Sequence, residues 1–91
     1  GDRSLNVANL LRDMRNAGVP MVQDPSEEMF SLTVWRDSQG FHGELRDSSG
    51  AVRWAGSAVT QGGFVRGVAR YVRDHGLPPG NGRISRPTAQ R

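Results

Sequence analysis

The chain contains no cysteine and no lysine. Lack of cysteine excludes disulfides, thiolate metal sites and cysteine nucleophiles, and it suits a reducing cytoplasm at least as well as any other compartment. Its two histidines, His42 and His75, stand 33 positions apart with no tight His/Asp/Glu spacing around either, so no metal site is expected. No GxGxxG or GxxxxGK run occurs, and no cofactor is expected. No apolar stretch approaches the roughly 20 residues that cross a bilayer, and the N-terminus has no signal-peptide pattern. A cytoplasmic location with no membrane partner is expected. Aromatics make up 7% and apolar residues 35% of the 91 positions, enough for one modest core and hence one domain. The chain begins Gly1-Asp2 rather than with Met, as a processed chain or a domain of a longer protein would.

Acid is scarce in the second half. Residues 1–50 carry five Arg against eight Asp and Glu, a net of −3, whereas residues 51–91 carry seven Arg against Asp74 alone, a net of +6. A half this positive attracts polyanions or acidic protein surfaces. Codon bias of a high-GC genome is the expected cause of the exclusive use of Arg. Its consequence is physical: each cation is a planar fork that fits phosphate and carboxylate and stacks on rings.

Hydrophobic spacing predicts the elements. Val7, Leu10, Leu11, Met14 and Ala17 share one stripe of a helix over 5–17, capped by Ser4 or Asn6 and stopped at Gly18-Val19-Pro20. Residues 20–28, with two prolines and three acids, read as a loop with a short edge strand around Met21–Val22. Alternation over 29–36, 41–46 and 51–57, separated by Asp37-Ser38-Gln39-Gly40 and Asp47-Ser48-Ser49-Gly50, predicts a three-stranded antiparallel meander. Its core face holds Phe30, Leu32, Val34, Phe41, Leu45 and Val52 or Trp54. A second helix over 61–75, capped by Thr60 and ended by Gly76, has Phe64, Val65, Val68, Tyr71, Val72 and His75 on one side and Arg66, Arg70 and Arg73 on the other. The fold class is therefore α+β, helix, three strands, helix (α-β-β-β-α), in two layers, with a domain over 1–77 and a flexible basic tail over 78–91.

The chemistry-bearing types are few. His42, Glu44 and Arg46 alternate along one strand, but a catalytic site needs a second carboxylate or nucleophile converging on His42 in a cleft, so an enzyme is not expected. Gly62-Gly63 before the second helix reads as tight packing rather than an anion cradle. The Arg66–Arg70–Arg73 stripe lacks the interleaved acids of an ordinary solvated helix face, and Arg83, Arg86 and Arg91 extend it. Trp35 beside Arg36 has the makeup of an interaction surface.

The stretch Gly40-Phe41-His42-Gly43-Glu44-Leu45-Arg46-Asp47 followed by Gly50-Ala51-Val52-Arg53-Trp54-Ala55-Gly56 resembles the middle of an AP2-type DNA-binding domain, a three-stranded sheet backed by a helix. The resemblance implies DNA contact from the sheet face through Arg46, Arg53 and Trp54, with Glu44 matching the family's strand glutamate. The same elements are also similar to YegP-like bacterial modules and, in order alone, to double-stranded RNA-binding domains. The expected function is a small non-enzymatic nucleic-acid-binding module using Arg46, Arg53, Trp54, Arg66, Arg70, Arg73, Arg83 and Arg86, with DNA ahead of RNA. The alternative is a protein-interaction domain of a bacterial or phage system. It meets an acidic surface or a second copy through the open sheet face or a strand edge, with Trp35 and Arg36 as contacts.

Overall fold

The computed structural model describes residues 5–19, 21, 30–77 and 82–85. The elements are α1 (Val7–Asn16), β1 (Phe30–Asp37), β2 (Gly40–Arg46), β3 (Val52–Ala58), α2 (Gln61–His75) and β4 (Gly82–Ser85). Asn6 caps α1 by accepting the Asn9 N–H at 3.0 Å. At the other end the Gly18 N–H donates to the Arg15 carbonyl and the Val19 N–H to that of Met14, which turns the buried Val19 back onto the last turn. Thr60 Oγ1 caps α2 by accepting from the Gly63 N–H at 3.1 Å. Among the described residues no helix is long and apolar enough to cross a membrane.

The sheet runs β3-β2-β1-β4, with β1–β2 and β2–β3 antiparallel and β4 parallel to β1. Both helices lie on one face of it. There Leu10, Met14, Phe30, Leu32, Val34, Leu45, Phe64 and Val68 form a core from which solvent is almost wholly excluded. Gly43 on β2 is part of the seat for α2, because a β-carbon at that position would run into the ring of Phe64. Trp54 meets the same ring edge-on, with centroids 5.7 Å apart. The β2–β3 register shifts between Leu45 and Arg46, so that β3 carries one extra residue at Arg53. That bulge settles which side chain of β3 completes the core. Trp54, opposite Leu45, packs against it, while Val52 stays 47% exposed.

The α+β class is as expected, but the sheet has a fourth strand. Residues 82–85 were expected to belong to a flexible tail; instead Gly82 pairs with Phe30 and Ile84 with Leu32, and Ile84 is buried. Gly82 and Ile84 turn to the core while Arg83 and Ser85 lie in the same rows as Ser31 and Thr33. A β-carbon at 82 would collide with the Phe30 ring, so glycine here makes room for the aromatic side chain of the neighbouring strand. The rest of the expected tail, including Arg86 and Arg91, and the expected edge strand around 21–22, apart from the buried Met21, lie outside the described residues.

If β4 closes the core, Ile84→Ala destabilises the domain by about 2 kcal/mol, at the lower end for a large-to-small core change because the strand lies at an edge. Removal of residues 78–91 destabilises it further. Urea unfolding followed by tryptophan fluorescence checks both; unchanged midpoints would return 82–85 to the status of a tail.

Candidate functional site

Helix α2 positions the arginine stripe by its own periodicity. Phe64, Val65 and Val68 are buried against the sheet, which turns Arg66, Arg70 and Arg73 to solvent. The three arginines line an open groove of about 690 Å³ together with Ala17, Gly63, Gly67 and Ala69. The small residues keep its floor low, and the end of α1 supplies its far wall. Arg73 Nε lies 3.7 Å from Asp74 Oδ1. Arg66 and Arg70 make no ion pair among the described residues. The Arg66 guanidinium folds back over the first turn, where a β-carbon at Gly62 would stand 3.5 Å from it.

The sheet arginines are placed differently. Arg46 lies on the face away from the helices, where it donates to Glu44 Oε1 and to the Gly50 carbonyl, each at 2.9 Å. Arg53 Nε sits 3.1 Å from Asp47 Oδ2. Both charges are thus matched locally. Trp54, nominated with them by the AP2-type resemblance, faces α2 instead and packs on Phe64, so the sheet face does not gather these three residues as that resemblance implies. Trp35 and Arg36 also part company. Trp35 lies on the open face, stacked on His42 with ring centroids 5.6 Å apart, whereas the Arg36 guanidinium lies 4.9 Å above the Phe41 ring on the helix side. Arg83 sits on β4 in the row of Ser31 and Arg46, and Arg86 lies outside the described residues. Arg66, Arg70 and Arg73 are therefore brought together in one groove, and the strand arginines are not part of it.

The open face holds a constellation that strand alternation alone did not reveal. His42 Nε2 lies 2.8 Å from Asp37 Oδ1, and His42 Nδ1 lies 2.8 Å from Ser57 Oγ. Two observations bring these groups together: Asp37 closes β1 at the hairpin turn, and the β2–β3 register sets Ser57 directly opposite His42. Because an ionised carboxylate only accepts, Nε2 must carry a proton; in the neutral imidazole Nδ1 is then the acceptor and the Ser57 hydroxyl the donor. A carboxylate and a hydroxyl thus meet His42 on the open face, a convergence that the sequence reading did not locate. Sequence spacing did hold one signal, the Asp37-x-x-x-x-His42 turn, but nothing short of strand register locates Ser57.

Elsewhere the polar groups have structural partners. His75 stacks on Tyr71 at 4.6 Å, with Nδ1 3.2 Å from the Tyr71 carbonyl, at the end of α2. Gln61 Nε2 donates to Asp13 Oδ2 at 2.7 Å and ties the start of α2 to α1. Among the described residues no group of three His, Cys, Asp or Glu side chains is placed to hold a metal ion.

No protein-family model, curated protein or solved structure matches the chain.

Two turn carboxylates are held below the usual aspartate value of 3.8. For Asp37 the hydrogen bond from His42 is the largest cause, followed by the Gln39 N–H. For Asp47 it is the Ser49 hydroxyl, opposed in part by desolvation and aided by the Ala51 and Ser49 N–H groups. A carboxyl group depressed on folding contributes stability at pH above its unfolded value and loses it as pH falls through the folded one. The folded domain should therefore weaken as pH drops below about 4. In Asp37→Asn and Asp47→Asn, which keep an acceptor in each turn, urea midpoints measured across that range should fall less steeply than in the parent.

Proposed function

We propose that this is a cytoplasmic nucleic-acid-binding domain that grips the phosphate backbone with the Arg66–Arg70–Arg73 flank of α2. The observation that carries the reading is the contrast in charge matching. Arg46 and Arg53 each have a carboxylate within 3.1 Å, while Arg66 and Arg70 line an open groove without one among the described residues. Unmatched guanidinium groups at helical spacing repel one another, an arrangement stabilised when an external polyanion takes them up. Arg12 and Arg15 of α1 are exposed on the same helix layer and add to its field. Binding of this kind is electrostatic and largely independent of base sequence. Duplex DNA, with its dense and regular phosphate rows, is the favoured ligand over RNA.

A second reading rests on β3. Among the described residues it is an edge strand, beginning at Val52 (47% exposed) and followed by Val59 (81% exposed), and it offers unpaired backbone groups to a protein partner or a second copy.

Fluorescence anisotropy with a labelled DNA duplex and an RNA of equal length separates these readings. Affinity should fall linearly with log salt. The triple change R66Q/R70Q/R73Q should reduce the slope by about 2 to 3 and weaken binding at least tenfold at low salt. The double change R46Q/R53Q should leave affinity within about twofold, since neither residue belongs to the groove. An absence of binding to either nucleic acid at low salt would sink the reading and leave the β3 edge, whose sign is concentration-dependent sedimentation.

A further inference from the structure

We propose that Asp37, His42 and Ser57 form a nucleophilic-serine site on the open sheet face, reactive toward activated acyl esters. The site is separate from the α2 arginines, which lie on the helix layer. Three requirements of serine activation are met on geometry. The nucleophile is in hydrogen-bond contact with a base, Ser57 Oγ to His42 Nδ1 at 2.8 Å. The base is oriented by a carboxylate, His42 Nε2 to Asp37 Oδ1 at 2.8 Å. The imidazole plane is held by the Trp35 ring stacked on it with 18° between planes. Asp37 is fixed in its turn, since its Oδ1 also accepts the Gln39 N–H at 2.9 Å. His42 is shielded, with 18% of its side chain exposed, whereas Ser57 is exposed and open to a reactant.

Strand β3, which carries Ser57, is an edge of the sheet among the described residues, so alternate residues along it direct their N–H groups away from β2. Backbone donors of that kind stabilise an oxyanion as it forms. The face is open rather than enclosed, and its substrates are therefore esters whose leaving group departs readily.

The chemistry balances with ester and water alone. Ser57 Oγ attacks the acyl carbon while its proton passes to His42 Nδ1. The ester C–O bond breaks, and the imidazolium returns that proton to the departing alkoxide. Water then attacks the Ser57 ester, with His42 again taking the proton. Collapse releases the carboxylic acid and restores the Ser57 hydroxyl. Asp37 is a positioning residue: it fixes the tautomer that leaves the Nδ1 lone pair toward Ser57.

p-Nitrophenyl acetate is the probe, read by nitrophenol release and by peptide mass mapping of the acetylated protein. Lack of lysine keeps background acetylation low. Acetylation is expected at Ser57, lost in Ser57→Ala, slowed by about 100-fold in His42→Gln, and unchanged in Ser48→Ala. In Asp37→Asn, which keeps the turn acceptor, acetylation slows because the tautomer that turns the Nδ1 lone pair toward Ser57 is no longer fixed, and Asp37→Glu, which restores a carboxylate, recovers part of the rate. The other charges on this face lie farther along the strands: Glu44 with Arg46, Asp47 with Arg53, and Arg83 on β4 in the row of Ser31. The proposal is overturned if acetylation is absent from Ser57, is confined to the N-terminal amine or Tyr71, or proceeds at the parent rate in Ser57→Ala.

Discussion

The seating of Phe64 on Gly43 is the contact from which most of the remaining architecture follows. A sheet of this size has little apolar area, and a helix laid across it needs one large side chain driven into the surface to fix its rotation. Phe64 does this where β2 has no side chain to obstruct it, and Trp54 abuts the same ring from β3. Once Phe64, Val65 and Val68 face inward, helical periodicity leaves Arg66, Arg70 and Arg73 nowhere to point but outward. The orientation of the basic flank is thus a packing result and needs no electrostatic cause.

That packing separates two surfaces of opposite character. On the helix layer, arginines outnumber acids among the described residues, and three of them lie along a groove. On the sheet's free side, every acid and arginine of β2, β3 and the second hairpin turn is engaged with a neighbour: Glu44 with Arg46, Asp47 with Arg53, Asp37 with His42. One side is suited to long-range attraction of a polyanion and the other to short-range contact chemistry. Among the described residues the acids of this side are matched locally: Glu44 by Arg46 two residues along β2, and Asp47 by Arg53 across the second turn.

Much of this was legible from spacing alone. Both helices, both Asp-to-Gly hairpin turns and the inward residues of β1 and β2 follow from periods of 3.6 and 2 and from cap and turn chemistry, all of them local. The arginine stripe was legible for the same reason. What remained hidden depends on partners distant in sequence. Strand β4 carries one large apolar residue, Ile84, and is recruited by β1 rather than by its own propensity. The bulge at Arg53, which turns Val52 off the core face and leaves Trp54 to fill it, is a property of two strands together. So is the meeting of His42 with Ser57, since alternation assigns each to a face but says nothing of which residues stand opposite. The AP2-type resemblance matched residue types along a hairpin, and strand alternation, with Trp54 opposite the buried Leu45, puts Arg46 and Trp54 on opposite faces.

The parallel strand at the far edge also bears on how the chain reaches this state. Strands β1, β2 and β3 pair across short turns, whereas the Thr33–Ser85 side-chain contact joins residues 52 positions apart. Closing a loop of that length before its contents are ordered carries a large entropic penalty, and the strand that closes it contributes only four residues. The order of assembly follows: the meander and α2 form a scaffold first, and β4 clips onto β1 last. The same segment is then the first to detach, so the outer edge of β1, with Phe30 behind it, is the place where a partly unfolded molecule exposes a strand to its neighbours.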